Sequence, residues 1–174
     1  MQPPPPGAIT DTETTYITCI NTDNRAAVNG VISLVTSTNP GSYVYLNNSG
    51  ALTSTGLSNI VAQTSADDSP VTIVNAGPIN AGIDGVEALT TGTNSDIYIA
   101  NSADIVANIG IAVQAQAVGP YSDIAISNYG DLIANAVASR ARGIYADSGS
   151  LASPSRISVA SPRECRRHHG APPP

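Results

Sequence analysis

Short alternations of apolar and polar residues, each ending in an asparagine, recur along the chain at nearly constant spacing. An apolar residue, or in one case a cysteine, stands four and two positions before each asparagine, and mostly polar or amphipathic residues lie between. This alternation predicts a β-strand with one buried face in every copy. The asparagines are Asn21, Asn48, Asn75, Asn101 and Asn128, so that successive numbers differ by 27, 27, 26 and 27. The apolar positions are Ile17, Cys19, Val44, Leu46, Val71, Ile73, Ile97, Ile99, Ile124 and Ile126.

The likeness between copies continues after the asparagine. At the fourth position beyond it stands Leu52, Ile79, Ile105 or Leu132, whereas the first copy has Arg25. A further strand signal opens with a glycine followed by an apolar residue. These pairs are Gly30-Val31, Gly56-Leu57, Gly85-Val86, Gly110-Ile111 and Gly143-Ile144. Each copy is therefore predicted to hold two or three short strands separated by Asn, Gly and Ser turns.

A single copy is too small to fold alone, because its few aliphatic side chains do not offset the conformational entropy of ordering its whole backbone. Stacked copies bury a continuous core and template one another, which is how solenoids are stabilised. The sequence therefore predicts an all-β fold, a right-handed parallel β-helix of about five coils in which one coil corresponds to one repeat. The five asparagines would stack as a hydrogen-bonded ladder. The alternative, repetitive Asn- and Gly-rich disorder, is disfavoured by the apolar slots.

The ends of the chain have a different composition from the repeats. Residues 1–15 are predicted to form a Pro-rich spacer, residues 16–150 the β-helix, and residues 151–174 an irregular basic and Pro-rich tail. In the tail the next asparagine slot holds Ser161 and the glycine slot holds Arg163. We expect this tail to be disordered or out of the native reading frame.

The fifth copy is longer than the others because of an insertion within residues 135–142. Insertions in solenoids become surface loops and are often where binding occurs. Arg140 and Arg142 are therefore candidates for a binding loop, and the alternative is a solvated loop that binds nothing.

Charge argues against nucleic acid as a partner. The formal net charge is −6, and the chain up to Asp147 holds twelve carboxylates and three arginines, a balance of −9. Such an acidic body repels phosphate backbones. The chain contains no run of about 18 apolar residues, so no transmembrane segment is predicted.

No constellation of residues predicts catalysis, a metal site or a cofactor. Asp67-Asp68 is the one adjacent carboxylate pair, and its Ser/Pro surroundings indicate a solvated turn. Cys165, His168 and His169 lie close together, but their spacing matches no zinc motif. Tyrosines on the outside of the coils, namely Tyr45, Tyr98 and Tyr145, are able to stack on sugars or simply to cover a strand face.

The repeat V-x-I-x-N-x-G-x-I-x-A, followed by G-I-x-A, resembles the passenger domains of Gram-negative autotransporters, of the pertactin-like and filamentous-haemagglutinin-like type. The copies "VTIVNAGPINA" (71–81), "IYIANSADIVA" (97–107) and "IAISNYGDLIA" (124–134) carry the resemblance, which extends from residue 17 to about residue 149. It implies a right-handed parallel β-helix that is exported and displayed at the cell surface. It also implies a C-terminal β-barrel, which we expect outside this chain, as we do a signal peptide.

The function implied is that of a non-catalytic adhesin or stalk scaffold, secreted or at the outer membrane of a Gram-negative bacterium. Its partners would be a host-cell surface, a glycan or further copies of the chain. Three alternatives remain open: a β-helical carbohydrate-active enzyme or a phage tail-fibre segment, each with its active coils outside this chain, and a gene remnant without function.

Overall fold

The structure, a computed structural model, describes residues 9–13, 16–28, 30–36, 39–135, 142–149 and 155–161. Every regular element in these ranges is a β-strand, and the strands are numbered along the chain. They form three parallel sheets. Sheet A comprises β1 (Ile9–Glu13), β4 (Ile32–Thr36), β7 (Ile60–Thr64), β10 (Val86–Thr90), β13 (Ile111–Ala117) and β16 (Arg142–Ser148). Sheet B comprises β2 (Tyr16–Asn21), β5 (Tyr43–Asn48), β8 (Val71–Asn75), β11 (Ile97–Asn101), β14 (Ile124–Asn128) and β17 (Ile157–Ala160). Sheet C comprises β3 (Arg25–Ala27), β6 (Leu52–Ser54), β9 (Ile79–Ala81), β12 (Ile105–Ala107) and β15 (Leu132–Ala134).

The three sheets are the walls of a parallel β-helix. The chain runs through sheet B, then sheet C, then sheet A, and each strand pairs with the strand three places later in the chain. One circuit is one coil, and about five coils stack along the axis. The predicted all-β solenoid is therefore confirmed, with three strands in each coil.

Sheet B has the register that the repeat predicts. Asn48 is paired with Asn75 and Asn75 with Asn101, while Leu46 is paired with Ile73 and Ile73 with Ile99. Like residues therefore stack on like along the axis. Strand β17 continues the sheet, since Ile157 pairs with Ile124 and Val159 with Ile126.

The core is a set of aliphatic columns. The inward apolar side chains of the middle coils are 0–2 % exposed, and they are Ile, Leu, Val and Ala. Cys19 packs against this cluster in the column of Leu46. Narrow coils filled with aliphatic layers explain how the chain forms a core without Phe or Trp.

Sheet A corrects the predicted start of the second strand clearly in one copy, because β7 begins at Ile60, three positions after Leu57, whereas β10 and β13 begin at Val86 and Ile111 as predicted. The inward column of sheet A is Ile32, Ile60, Val86, Val113 and Ile144. The glycine-apolar pairs match it only at Val86 and Ile144. Val31 comes one position early, Leu57 lies in a bend with 49 % of its side chain exposed, and Ile111 begins β13 two positions before the inward slot. Glycine indicates the turn between sheets C and A, and this turn varies in length from coil to coil. The register is set by the alternation of side chains within the strands.

The fifth coil is longer than the others also when its length is measured to the inward column of sheet A. From the asparagine to the first inward position of sheet A, the numbering advances by 11 or 12 for each of four coils, as from Asn21 to Ile32. For the fifth coil it advances by 16, from Asn128 to Ile144. Residues 136–141, which include Arg140, lie outside the described residues. Strands β1 and β17 lie outside the bounds 16–150 that the sequence predicts for the β-helix.

Candidate functional site

The five predicted asparagines form one continuous hydrogen-bonded row inside sheet B. The side-chain Nδ2 of Asn21, Asn48, Asn75 and Asn101 donates to Oδ1 of the asparagine one coil later, at 2.7 Å in each case. Each Nδ2, including that of Asn128, also donates to the backbone carbonyl two positions ahead. All five side chains are 0–2 % exposed. Their polar atoms are already engaged, so this row holds the coils together and does not contact a ligand.

Arg25 closes the row at its first coil. Its Nε donates to Oδ1 of Asn21, the acceptor that an asparagine of a preceding coil would otherwise occupy. Its guanidinium also lies 3.2 Å from the carboxylate of Asp23. This explains why the first copy has an arginine in the column of Leu52 and Ile79.

A second buried polar row was not identified from the sequence. The backbone N–H of Ser69 donates to Oγ of Ser95 at 3.0 Å, and that of Ser95 donates to Oγ of Ser122 at 2.9 Å. With Ser42, these serines are 0–3 % exposed. They recur with the same period as the asparagines, each two positions before the first inward side chain of sheet B, and that periodicity was the available signal.

Of the two predicted binding-loop arginines, the structure describes Arg142. Its guanidinium lies over the ring of Tyr145 at 5.0 Å from the ring centroid. The hydroxyl of Tyr145 donates to the carboxylate of Asp147 at 3.1 Å, and this hydrogen bond raises the pKa of Tyr145. These three side chains form a charged row on the outside of sheet A.

The outer face of sheet B is different, because none of its described outward residues carries a charge. Tyr16, Thr18 and Ile20 project from β2, and Tyr43, Tyr45 and Asn47 project from β5. The remaining four strands add small or polar side chains and one tyrosine: Thr72, Val74, Tyr98, Ala100, Ala125, Ser127, Ser158 and Ala160. We call this surface the tyrosine face.

Tyrosines are concentrated on the tyrosine face and at its borders. Four lie on the face, while Tyr121 and Tyr129 flank β14 on its two sides and are 57 % and 58 % exposed. Tyr145 is the remaining one of the seven in the sequence. The rings of Tyr16 and Tyr43 stack with centroids 5.5 Å apart and planes 15° apart. The arrangement offers flat, half-exposed rings with hydroxyl and amide groups between them.

Asp84 and Glu87 form an acidic pair that the sequence did not identify. Ser58, one coil earlier, lies 3.4 Å from the carboxylate of Asp84 and 3.5 Å from that of Glu87. Burial raises the pKa of Glu87, and the charge of Asp84 raises it further, while the hydrogen bond from Ser58 opposes both. Asp84 also accepts a hydrogen bond from the backbone N–H of Ile111 at 2.6 Å, which ties it to the next coil.

The predicted turn residues Asp67 and Asp68 are both exposed. Asp67 accepts a hydrogen bond from the backbone N–H of Thr93 at 2.7 Å, and Asp68 has a φ of 54°. Within the described ranges no group of three His, Cys, Asp or Glu residues is arranged to hold a metal ion. Cys165, His168 and His169 lie outside those ranges. The described part of the chain contains no helix long and apolar enough to cross a bilayer.

Comparison with known proteins returns no match: no family model, no curated protein and no solved structure matches this chain. Function is therefore inferred from the geometry of the β-helix and of its surfaces.

Proposed function

We propose that the chain is a non-catalytic, adhesive segment of a cell-surface protein, of the kind found in autotransporter passenger domains. The tyrosine face is the observation that carries this proposal. Solvent-exposed aromatic rings without neighbouring charges are typical of surfaces that bind a partner. The repeat pattern, which resembles passenger domains, supports the same assignment.

The β-helix suits this role because it is a stiff rod with flat sides. Buried rows of asparagine and serine join successive coils, so the side chains of the tyrosine face keep fixed positions. A preorganised surface binds with a smaller loss of conformational entropy than a flexible one. Its binding partner is held along the side of the coils, and no bond in it is broken.

Adhesion is tested with the purified chain and intact host cells. We expect saturable binding that the double variant Tyr45→Ser/Tyr98→Ser loses and that Tyr145→Ser retains, with the far-UV circular dichroism of all three proteins unchanged.

Export is tested by labelling intact cells of the native organism with antibodies to the chain. Absence of binding, or labelling only after the cells are lysed, would contradict the proposal.

One observation favours a second candidate, a carbohydrate-active enzyme. Asp84 and Glu87 both lie near Ser58, and glycoside hydrolysis requires a pair of carboxyl groups of which one, here Glu87, has a raised pKa and serves as the general acid. Polysaccharide cleavage by the wild-type chain that is absent from Glu87→Gln would establish the enzyme. Binding without release of reducing ends would favour the adhesive segment.

A further inference from the structure

Two tyrosines of the tyrosine face stand in one column along the axis of the solenoid. The register places Thr18, Tyr45, Thr72, Tyr98 and Ala125 side by side on successive strands. Tyr45 and Tyr98 are therefore separated by two strand spacings, about 9.6 Å, with the hydroxyl of Thr72 between them. This is close to the length of two linked hexose units.

A long ligand has room on this face in the direction across the strands, and not along a single strand. Along β5 the neighbour of Tyr45 is Tyr43, whose ring is already stacked on Tyr16. Across the strands, the neighbours of Tyr98 are Thr72 and Ala125, whose side chains are much smaller than a tyrosine ring, and Tyr98 is 43 % exposed. An extended ligand on this column would meet a ring, a hydroxyl and a second ring in turn.

Charge selects the chemical class of the ligand. The outward residues of the face offer no cation to an anionic ligand, and the acidic body of the chain would repel one. The border has one arginine, Arg156, which lies next to Asp123 at the start of the last strand and away from Tyr45. Two aspartates at the border, Asp96 and Asp123, are able to accept hydrogen bonds from hydroxyl groups. Flat rings, hydroxyl donors and border carboxylates complement a neutral sugar, whose axial C–H groups stack on aromatic rings while its hydroxyls form hydrogen bonds.

We infer that the tyrosine face binds a neutral, unbranched polysaccharide whose chain lies along the solenoid axis, with alternate sugar rings stacked on Tyr45 and Tyr98. This inference rests on the proposed adhesive function and names its ligand class. The other two sheets do not offer the same surface. Sheet C has one outward residue per strand and no aromatic among its described residues, and the outer face of sheet A is charged at Glu87 and Asp147.

Tyrosine fluorescence is a direct probe of binding, because the chain has no Trp and six of its seven tyrosines lie on or beside this face. The probes are cellobiose and cellohexaose, with a mannuronate hexamer as a linear, anionic control. We expect cellohexaose to bind at least about tenfold more tightly than cellobiose, since only the longer chain reaches both rings. Binding should not change between about 0.05 and 0.5 M salt, because no charges are paired.

Substitutions test the contribution of each of the two tyrosine rings to binding. Tyr45→Ser and Tyr98→Ser should each weaken cellohexaose binding about tenfold and remove the advantage of cellohexaose over cellobiose, while Tyr145→Ser changes neither. Thr72→Lys keeps both rings and places a cation between them. It should weaken cellohexaose binding and create salt-sensitive binding of the mannuronate hexamer, so the inference stays testable if a tyrosine variant fails to fold.

Three results would overturn the inference: no binding of cellohexaose, equal binding of the mannuronate hexamer by the wild type, or a dimer in sedimentation velocity that Tyr98→Ser dissociates. The last result would mean that a second copy occupies the face. If cells are bound through Tyr45 and Tyr98 but cellohexaose neither binds nor competes, the ligand class is wrong and the adhesive function stands. If cells are not bound at all, the proposed function fails.

Discussion

At the scale of single residues, the loss of Asn75, the middle member of the asparagine row, should be costly. It donates to Oδ1 of Asn101 at 2.7 Å and to the carbonyl of Gly77 at 2.9 Å, and it accepts from Asn48 at 2.7 Å. Asn75→Ala leaves these three partners buried without it. We expect a loss of about 3 kcal/mol in the free energy of unfolding, since each buried unsatisfied group costs about 1–3 kcal/mol.

Urea unfolding measures this loss, with Asn80→Ala as the matched control. Asn80 lies on the next strand of the same coil, on the outside of sheet C, is exposed, and has one side-chain bond, from Asn108 at 3.0 Å. The control should change stability by less than about 0.5 kcal/mol. Equal effects of the two substitutions would show that the buried row contributes no more than surface asparagines do.

Glu87 predicts a pH dependence of stability. Burial and the charge of Asp84 raise its pKa, so the folded chain binds a proton at this group more tightly than the unfolded chain does. Its contribution to stability is therefore present below the unfolded pKa and is lost as the pH rises through the folded value. Glu87→Gln removes this loss. Its stability relative to the wild type should increase between pH 4 and pH 7 in urea unfolding, and a constant difference across that range would contradict the assignment.

At the scale of strands and turns, the sequence predicted the strands of sheet B more closely than those of sheet A. In sheet B each alternation ends in an asparagine that itself lies in the strand. The spacing between successive asparagines therefore gives the register of neighbouring strands directly. In sheet A the start of each strand was predicted from a glycine, and several of these glycines lie in the turn before the strand. Leu57 was consequently predicted to open a strand, whereas the strand begins three positions later at Ile60, which fills the column of Ile32 and Val86.

The turn from sheet A to sheet B has a residue in the left-handed conformation at the same position in successive coils. Gly41, Asp68, Asn94 and Tyr121 have φ values of 79°, 54°, 54° and 58°. Glycine, asparagine and aspartate adopt this conformation readily, whereas for most other residues it costs about 1–2 kcal/mol. Tyr121→Asn should therefore raise the free energy of unfolding by about 1 kcal/mol.

Tyr129→Asn is the control for Tyr121→Asn. Tyr129 is equally exposed, at 58 % against 57 %, and is not among the residues with a positive φ. Thermal unfolding of the two variants separates backbone strain from loss of an exposed ring. If Tyr121→Asn lowers the melting temperature as much as Tyr129→Asn does, strain at the turn is not the governing effect.

At the scale of the whole molecule, the candidate surface was only partly predictable. Tyr45 and Tyr98 were named from the sequence because the alternation within each strand shows which residues face outward. The stack of Tyr16 on Tyr43 and the lack of charge across the face depend on how neighbouring coils align. Ser58, Asp84 and Glu87 come together for the same reason, since Ser58 belongs to the preceding coil. Residues that meet only between coils leave little trace in the sequence of a single copy.

If each coil is the template for the next, removing one complete coil should leave a folded protein. Deleting residues 76–101 joins Asn75 to Ser102, so that β8 takes the place of β11 and Asn75 is positioned to donate to Asn128. We expect a retained β-sheet signal in far-UV circular dichroism and a cooperative urea transition at a lower midpoint, since fewer interfaces between coils remain. Deleting residues 76–88 removes half a coil and places Leu89 directly after Asn75, where the chain must turn. That variant should be unfolded, and a cooperative transition in it would show that stacking in register is not what stabilises the solenoid.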